Sequence, residues 1–267
     1  MDIETARFNM IEQQIRPWDV LDAGVLALLS TVRREDFVPP AMRALAFVDT
    51  QIPLLPGEPG GPRMLEPRVQ ARLLQSLQVQ RHEKALEIGT GAGFMAALLA
   101  HRAQSVVTLE SHPELAKTAR ENLRRNGVLN ARVVEVRPDE GARGYPAEAP
   151  FDVILLSGSV AEVPRVLLEQ LRIGGRLAAI VGNEPVMQAT VFTRTSQAAW
   201  SQQAMFQTLA PRLQGFAEKP AFSAWARLGM GVRAPSRPRV CGQLAIASGS
   251  CRRSKGTLAW GRPSSSP

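Results

Sequence analysis

Ala85-Leu86-Glu87-Ile88-Gly89-Thr90-Gly91-Ala92-Gly93-Phe94 sets three glycines at alternate positions directly after a short apolar run. An Ala/Leu-rich stretch follows, and Val106-Val107-Thr108-Leu109-Glu110 is a second apolar run that ends in an acid. The order predicts a strand, a tight turn, a helix and a second strand, the nucleotide-binding start of a doubly wound α/β domain. Glycine accepts the backbone angles of such a turn and lets a ligand approach the chain closely. Glu110, at the tip of the second strand, is placed to accept hydrogen bonds from both hydroxyls of a ribose.

Two nucleotide classes compete for this turn. Gly91, Gly93 and Ala96 satisfy the dinucleotide spacing Gly-x-Gly-x-x-Gly/Ala, whereas counting from Gly89 puts Phe94 in the third position. Glu87 weighs against a dinucleotide, because a carboxylate at the end of the first strand would repel a pyrophosphate. A ligand with a cationic sulfonium and an ammonium group suits that position better. The set Glu87, Gly89, Thr90, Gly91 and Gly93, with Glu110 downstream, therefore favours S-adenosyl-L-methionine over NAD.

Further segments carry a resemblance. Leu86 to Phe94, Val38-Pro39, Pro113-Glu114-Leu115-Ala116, Gly141-Ala142-Arg143-Gly144-Tyr145-Pro146, Pro150-Phe151-Asp152-Val153-Ile154 and the run from Leu167 to Leu177 follow one another in family order. Together they resemble the protein-L-isoaspartate O-methyltransferase family, over about residues 4–222. The resemblance implies a Rossmann-like methyltransferase and S-adenosyl-L-methionine as cofactor. It implies methyl-ester formation on the α-carboxylate of isoaspartyl residues in damaged proteins and peptides, a step that opens repair through a succinimide. By the same resemblance Gly89, Thr90 and Gly91 turn beside the methionine part of the cofactor and Glu110 takes the ribose. Glu140 stands at the position whose acid meets the adenine amino group, with Asp139 beside it as an alternative. Ser157 and Ser159, after the fourth strand, are candidates to orient the substrate.

One position departs from the family. Its Thr-Ile-Ser-Gln-Pro element aligns on Pro67 with Arg63-Met64-Leu65-Glu66-Pro67, so Leu65 stands where the substrate-site serine belongs. Leucine donates no hydrogen bond, and the catalytic residue is left unassigned. Two alternatives stay open: a methyltransferase with a different acceptor, and a cofactor-binding regulatory protein without turnover.

The 267 residues carry a net charge of +8, which invites a nucleic-acid reading. The excess is confined to the end of the chain. From Ala224 onward there are eight cations, Arg227, Arg233, Arg237, Arg239, Arg252, Arg253, Lys255 and Arg262, and no acid, so residues 1–223 are formally neutral. No specific nucleic-acid partner is expected. Cys241 and Cys251 lie in the same tail without the spacing of a zinc or redox motif. An acidic N-terminus without an apolar core, and no run long enough for a membrane span, point to a cytoplasmic protein. Nothing in the pattern fixes an oligomeric state or a metal site.

The expected organisation is an N-terminal helical and substrate-side region over 1–80, a cofactor-binding core over 81–222, and a basic, disordered tail over 223–267. The tail's composition suits either an interaction arm or a shifted reading frame. Helices are predicted at 4–16, with Phe8, Ile11 and Ile15 on the buried face, and at 21–32, 67–76, 93–102, 113–126 and 164–171. Strands are predicted at 84–88, 105–109, 131–136, 151–156, 175–181, 188–195 and 202–209. This alternation gives a mostly parallel seven-stranded α/β sheet with helices on both faces.

Overall fold

The computed structural model describes residues 2–55, 57–58 and 60–218. The basic tail, with its two cysteines, and residues 219–222 lie outside the described residues.

The chain opens with α1 (Ile3–Asn9), which continues as a π-helical stretch, Met10–Ile15, and a 3-10 turn, Arg16–Trp18. The single helix expected at 4–16 is therefore broken into three forms. Bonding from i to i+5 brings Met10, Ile11 and Ile15 onto one face. They are buried, while Phe8 stays 63% exposed. Helix α2 (Ala23–Thr31) is capped by Asp22, whose carboxylate accepts from the Val25 amide at 2.8 Å. The Pro/Gly-rich segment forms a short antiparallel pair, β1 (Ile52–Pro53) and β2 (Arg63–Met64), which the sequence pattern did not announce. Helix α3 (Pro67–Leu77) leads into the core.

There, β3 (Lys84–Ile88), α4 (Phe94–Arg102), β4 (Ser105–Glu110), α5 (Pro113–Arg125) and β5 (Ala131–Glu135) alternate as expected. A four-residue turn of helix, α6 (Pro138–Gly141), precedes β6 (Phe151–Val160), and α7 (Arg165–Glu169) precedes β7 (Leu171–Asn183). The sheet closes with β8 (Val186–Arg194) and β9 (Trp200–Gln207). The seven strands stand in the order β5-β4-β3-β6-β7-β8-β9, parallel through β7 and antiparallel thereafter. From β3 the chain winds first to β4 and β5, then crosses to β6 on the other side. The crevice above the carboxyl ends of β3 and β6 is thus a topological switch point, where such sheets bind ligands.

Two strand ends differ from expectation. Strand β6 runs on to Val160 through a bulge, with Leu155 opposite Ala178 and Ser159 opposite Ile180. The bulge holds Ser157 and Gly158 at the crevice. Helix α7 stops at Glu169 because Leu171 pairs with Phe151 and belongs to the sheet.

Side chains alternate across the sheet. Ala85, Val106, Val153 and Leu155 face a large core shared with Ile15, Leu29, Leu65 and Leu98, so the N-terminal helices and α4 close that face. Leu86, Ile88, Ile154 and Leu177 face the opposite core with Leu167 and Phe216. Beyond β9 the chain turns back over the carboxyl edge as a strap, Ala210–Phe216. The Ser159 amide donates to the Pro211 carbonyl at 2.8 Å, and the Leu213 amide donates to the Ser159 carbonyl at 2.9 Å. Among the described residues, no helix is long and apolar enough to cross a membrane.

Candidate active site

A cavity of about 660 Å³ opens above the switch point, between the β1–β2 pair and the strap. Gly89, Gly91, Glu110, Ser111, Ser157 and Gly158 form its floor, and Arg63, Gln51 and Leu213 stand on its walls. Gln51 reaches across it, donating to the Glu66 carboxylate and to the Leu209 carbonyl, each at 3.1 Å.

The glycine turn is fixed by its neighbours. Gly89 has φ of +86°, and its amide and that of Thr90 both donate to the Leu109 carbonyl at 2.9 and 3.2 Å. A Cβ at Gly89 would lie 2.6 Å from the Leu213 side chain, so the missing side chain lets the strap approach. Gly93 plays another part. A Cβ there would lie 3.3 Å from the Ala119 backbone, so the glycine lets α4 pack on α5, away from the cavity lining.

Glu110 ends β4 at the cavity floor. One carboxylate oxygen accepts from the Gly91 amide at 2.8 Å, the other from the Ser111 and His112 amides at 2.9 Å each. Burial pushes this carboxyl above its ordinary range, and the three backbone donors pull it back. It ties the glycine turn to the start of α5 and still presents lone pairs to the cavity.

Glu87 is wholly buried. It accepts from the hydroxyls of Ser157 at 2.6 Å, Thr108 at 2.7 Å and Thr90 at 3.2 Å. Burial pushes its carboxyl up to about 7, the three hydroxyls oppose that rise, and the charge of Glu110 adds to it. It does not line the main cavity. It borders a small adjoining recess with Arg63, Leu65, Gly89, Thr90 and Ser157. Ser157 lines both spaces and stands between Glu87 and the cavity.

The other expected site residues are dispersed. Ser159 is wholly buried and donates its hydroxyl to the Ala210 carbonyl at 2.8 Å, anchoring the strap instead of facing the cavity. Glu140 accepts from the Arg137 amide at 2.8 Å and pairs with the Arg137 guanidinium at 3.1 Å. Asp139 pairs with Arg143 at 3.2 Å. Neither acid lines the cavity. Leu65 is buried in the large core, and its carbonyl accepts from Arg34 at 2.8 Å. A serine there would hollow the core as well as add a hydroxyl. Gln51, Arg63 and the strap were not foreseen, because their approach to the turn depends on contacts distant in sequence. Among the described residues, no group of His, Cys, Asp and Glu could hold a metal ion.

A family model for protein-L-isoaspartate (D-aspartate) O-methyltransferase matches residues 6–210. The chain belongs to this family. A protein-L-isoaspartate O-methyltransferase of Methanoculleus marisnigri is 42% identical over 176 residues, 66% of this chain and 77% of its own. That of Geobacter metallireducens is 40% identical over 184 residues, 69% and 82% of the two chains. A Plasmodium falciparum chain described as a β-aspartate methyltransferase, solved with S-adenosyl-L-homocysteine, shares the fold at a TM-score of 0.63 and 17% identity, covering 80% of this chain and 99% of its own.

S-adenosyl-L-methionine is the cofactor of protein-L-isoaspartate O-methyltransferases, and the residues here fit it. The Glu110 carboxylate stands beside the glycine turn with acceptor capacity for two ribose hydroxyls. A buried second carboxylate, Glu87, lies one hydroxyl, that of Ser157, behind the cavity lining.

Proposed function

We propose that this chain transfers a methyl group from S-adenosyl-L-methionine to the α-carboxylate of isoaspartyl residues in proteins and peptides. The observation that carries the reading is the family match over 6–210, with Glu110 and the Gly89–Gly91 turn meeting at the floor of the cavity at the switch point. Glu110 would hold the ribose. Gly89, Thr90 and Gly91 would flank the amino-acid end, and Glu87 would act on its positive charge through Ser157. Ile88, Leu109, Val136 and Gly141 would pack against the base from the edge of the cavity, their own recess of about 20 Å³ being too small to hold it, with Glu140 joining only on release from Arg137.

The cofactor, when bound, supplies an electrophilic methyl group on a sulfonium. The acceptor carboxylate is ionised near neutral pH and needs no general base. The protein's task is alignment and exclusion of water. The β1–β2 pair and the strap wall the cavity on two sides and serve that task.

The test is labelled methyl transfer to paired isoaspartyl and aspartyl peptides, with S-adenosyl-L-homocysteine binding followed in parallel. Methyl ester should appear on the isoaspartyl peptide alone. Leu65 in place of the serine favours one second reading, a methyltransferase of this fold with another acceptor. Tight S-adenosyl-L-homocysteine binding with neither peptide methylated would support that reading over the first.

The buried Glu87 carboxyl also predicts a pH dependence. Its ordinary value lies near 4.5 and its folded value near 7, so the folded protein keeps this proton through pH 4.5 to 7. A cationic sulfonium favours the ionised form. Affinity for S-adenosyl-L-methionine should therefore rise from pH 6 to pH 8, more than that for the uncharged thioether S-adenosyl-L-homocysteine, and the rise should flatten in Glu87→Gln. Calorimetric titration across that range checks it, and an equal rise in the variant would remove Glu87 as its source.

A further inference from the structure

We infer that Arg63 is the acceptor-binding residue of this enzyme, gripping the carboxylate that the family's serine would otherwise meet. The inference rests on the isoaspartyl reading above and deepens it.

Four observations carry it. The first is placement. Arg63 lines both the main cavity and the recess that holds Leu65, Glu87 and Ser157. The second is rigidity. Arg63 pairs with Pro53, its neighbour Met64 pairs with Ile52, and the Leu54 amide donates to the Pro62 carbonyl at 2.9 Å. Ile52, Met64 and Leu65 are buried and pin the strand, while Arg63 itself is exposed.

The third is availability. Among the described residues the Arg63 guanidinium has no hydrogen-bond or ionic partner. The cavity's other arginine, Arg212, is engaged by the Gly182 carbonyl at 2.9 Å and the Asn183 side chain at 2.5 Å. The fourth is charge. A carboxylate entering the site meets Glu110 and Glu184 on the cavity lining. Their like charge repels an anionic acceptor unless a cation faces it. Among the described lining residues, Arg63 is the uncommitted cation.

The role follows from the reaction. Arg63 holds one carboxylate oxygen and leaves the other to attack. A bond forms from that oxygen to the methyl carbon. The carbon–sulfur bond breaks, and its electron pair stays on sulfur. The carboxylate becomes a neutral ester and the sulfonium a neutral thioether. Negative charge on the acceptor is greatest before transfer and absent after it. Arg63 therefore binds the substrate at least as strongly as the transition state, so its loss appears in KM, and kcat does not fall.

The test uses the full chain loaded with S-adenosyl-L-homocysteine, an isoaspartyl peptide, and the same peptide with its α-carboxylate as an amide. The wild type should bind the carboxylate peptide better than the amide by about tenfold or more. Arg63→Gln should erase that preference and raise KM for methylation about tenfold to a hundredfold, with kcat and S-adenosyl-L-homocysteine affinity nearly unchanged. Arg63→Lys should keep part of the preference. An Arg63→Gln protein that binds and methylates the carboxylate peptide as well as the wild type overturns this inference alone. A wild type that holds S-adenosyl-L-homocysteine yet neither binds nor methylates that peptide overturns the isoaspartyl reading, and this inference with it.

Discussion

Glu110→Ala should weaken S-adenosyl-L-homocysteine binding about a hundredfold or more. Two losses combine. On the proposed reading the ribose loses a charged acceptor, worth about 1.5–3 kcal/mol. The amides of Gly91, Ser111 and His112 lose the carboxylate that holds them, and with it the glycine turn loses its tie to α5. Water can reach part of this lining, so the second loss is a looser turn more than three orphaned donors. Glu110→Gln keeps the shape and one acceptor oxygen and should lie between. Calorimetric titration of the folded variants reads the effect directly. Wild-type affinity in Glu110→Ala would take this residue out of the cofactor site.

Arg34→Met should lower folding stability by about 3–5 kcal/mol. Arg34 is wholly buried, and burial pulls its guanidinium down to about 9, still charged at neutral pH. It donates to the Ala46 carbonyl at 3.0 Å, to the Leu65 carbonyl at 2.8 Å and to the Gln70 side chain. It also lies 5.1 Å from the centre of the Phe94 ring at the start of α4. Methionine fills much of the volume but donates nothing, so three acceptors are left without their partner in the interior. Because one of them is Leu65, the segment that presents Arg63 should loosen too, and peptide KM should rise in the fraction that folds. Chemical denaturation of the two proteins measures the difference. A change below about 1 kcal/mol would show that those acceptors find other donors.

The two edges of the glycine turn were legible because they are local. An apolar run ending in an acid, followed by Gly89, Gly91 and Gly93, fixes β3 and its turn from neighbouring residues alone. The place of Glu110 at the end of β4 was legible for the same reason. What escaped depends on distance along the chain. Ser157-Gly158-Ser159 reads as a polar turn that ends a strand, yet β6 continues through it, because Ser159 meets Ala210 and Pro211 some fifty positions later. Phe8, Ile11 and Ile15 have the spacing of a helix face, and the π-helical stretch puts Met10 there instead. Glu140 stands where the family motif places an acid, but an arginine three residues earlier claims its side chain. Arg63 carries no motif. Its meaning comes from the strand pairing that lifts it over the cavity and from the acids around it.

The cavity draws its walls from Gln51, Leu54 and residues 60–63 on one side and from residues 209–214 on the other, and Gln51 bridges positions 158 apart to join them. A pocket built this way needs both segments in place. A cofactor that fills it binds the folded chain, and by mass action its affinity adds to the stability of the fold. At a hundred times its dissociation constant the gain is about 2.7 kcal/mol, a sizeable share of what holds a domain of this size together. For this molecule the supply of ligand sets part of the stability of the native state.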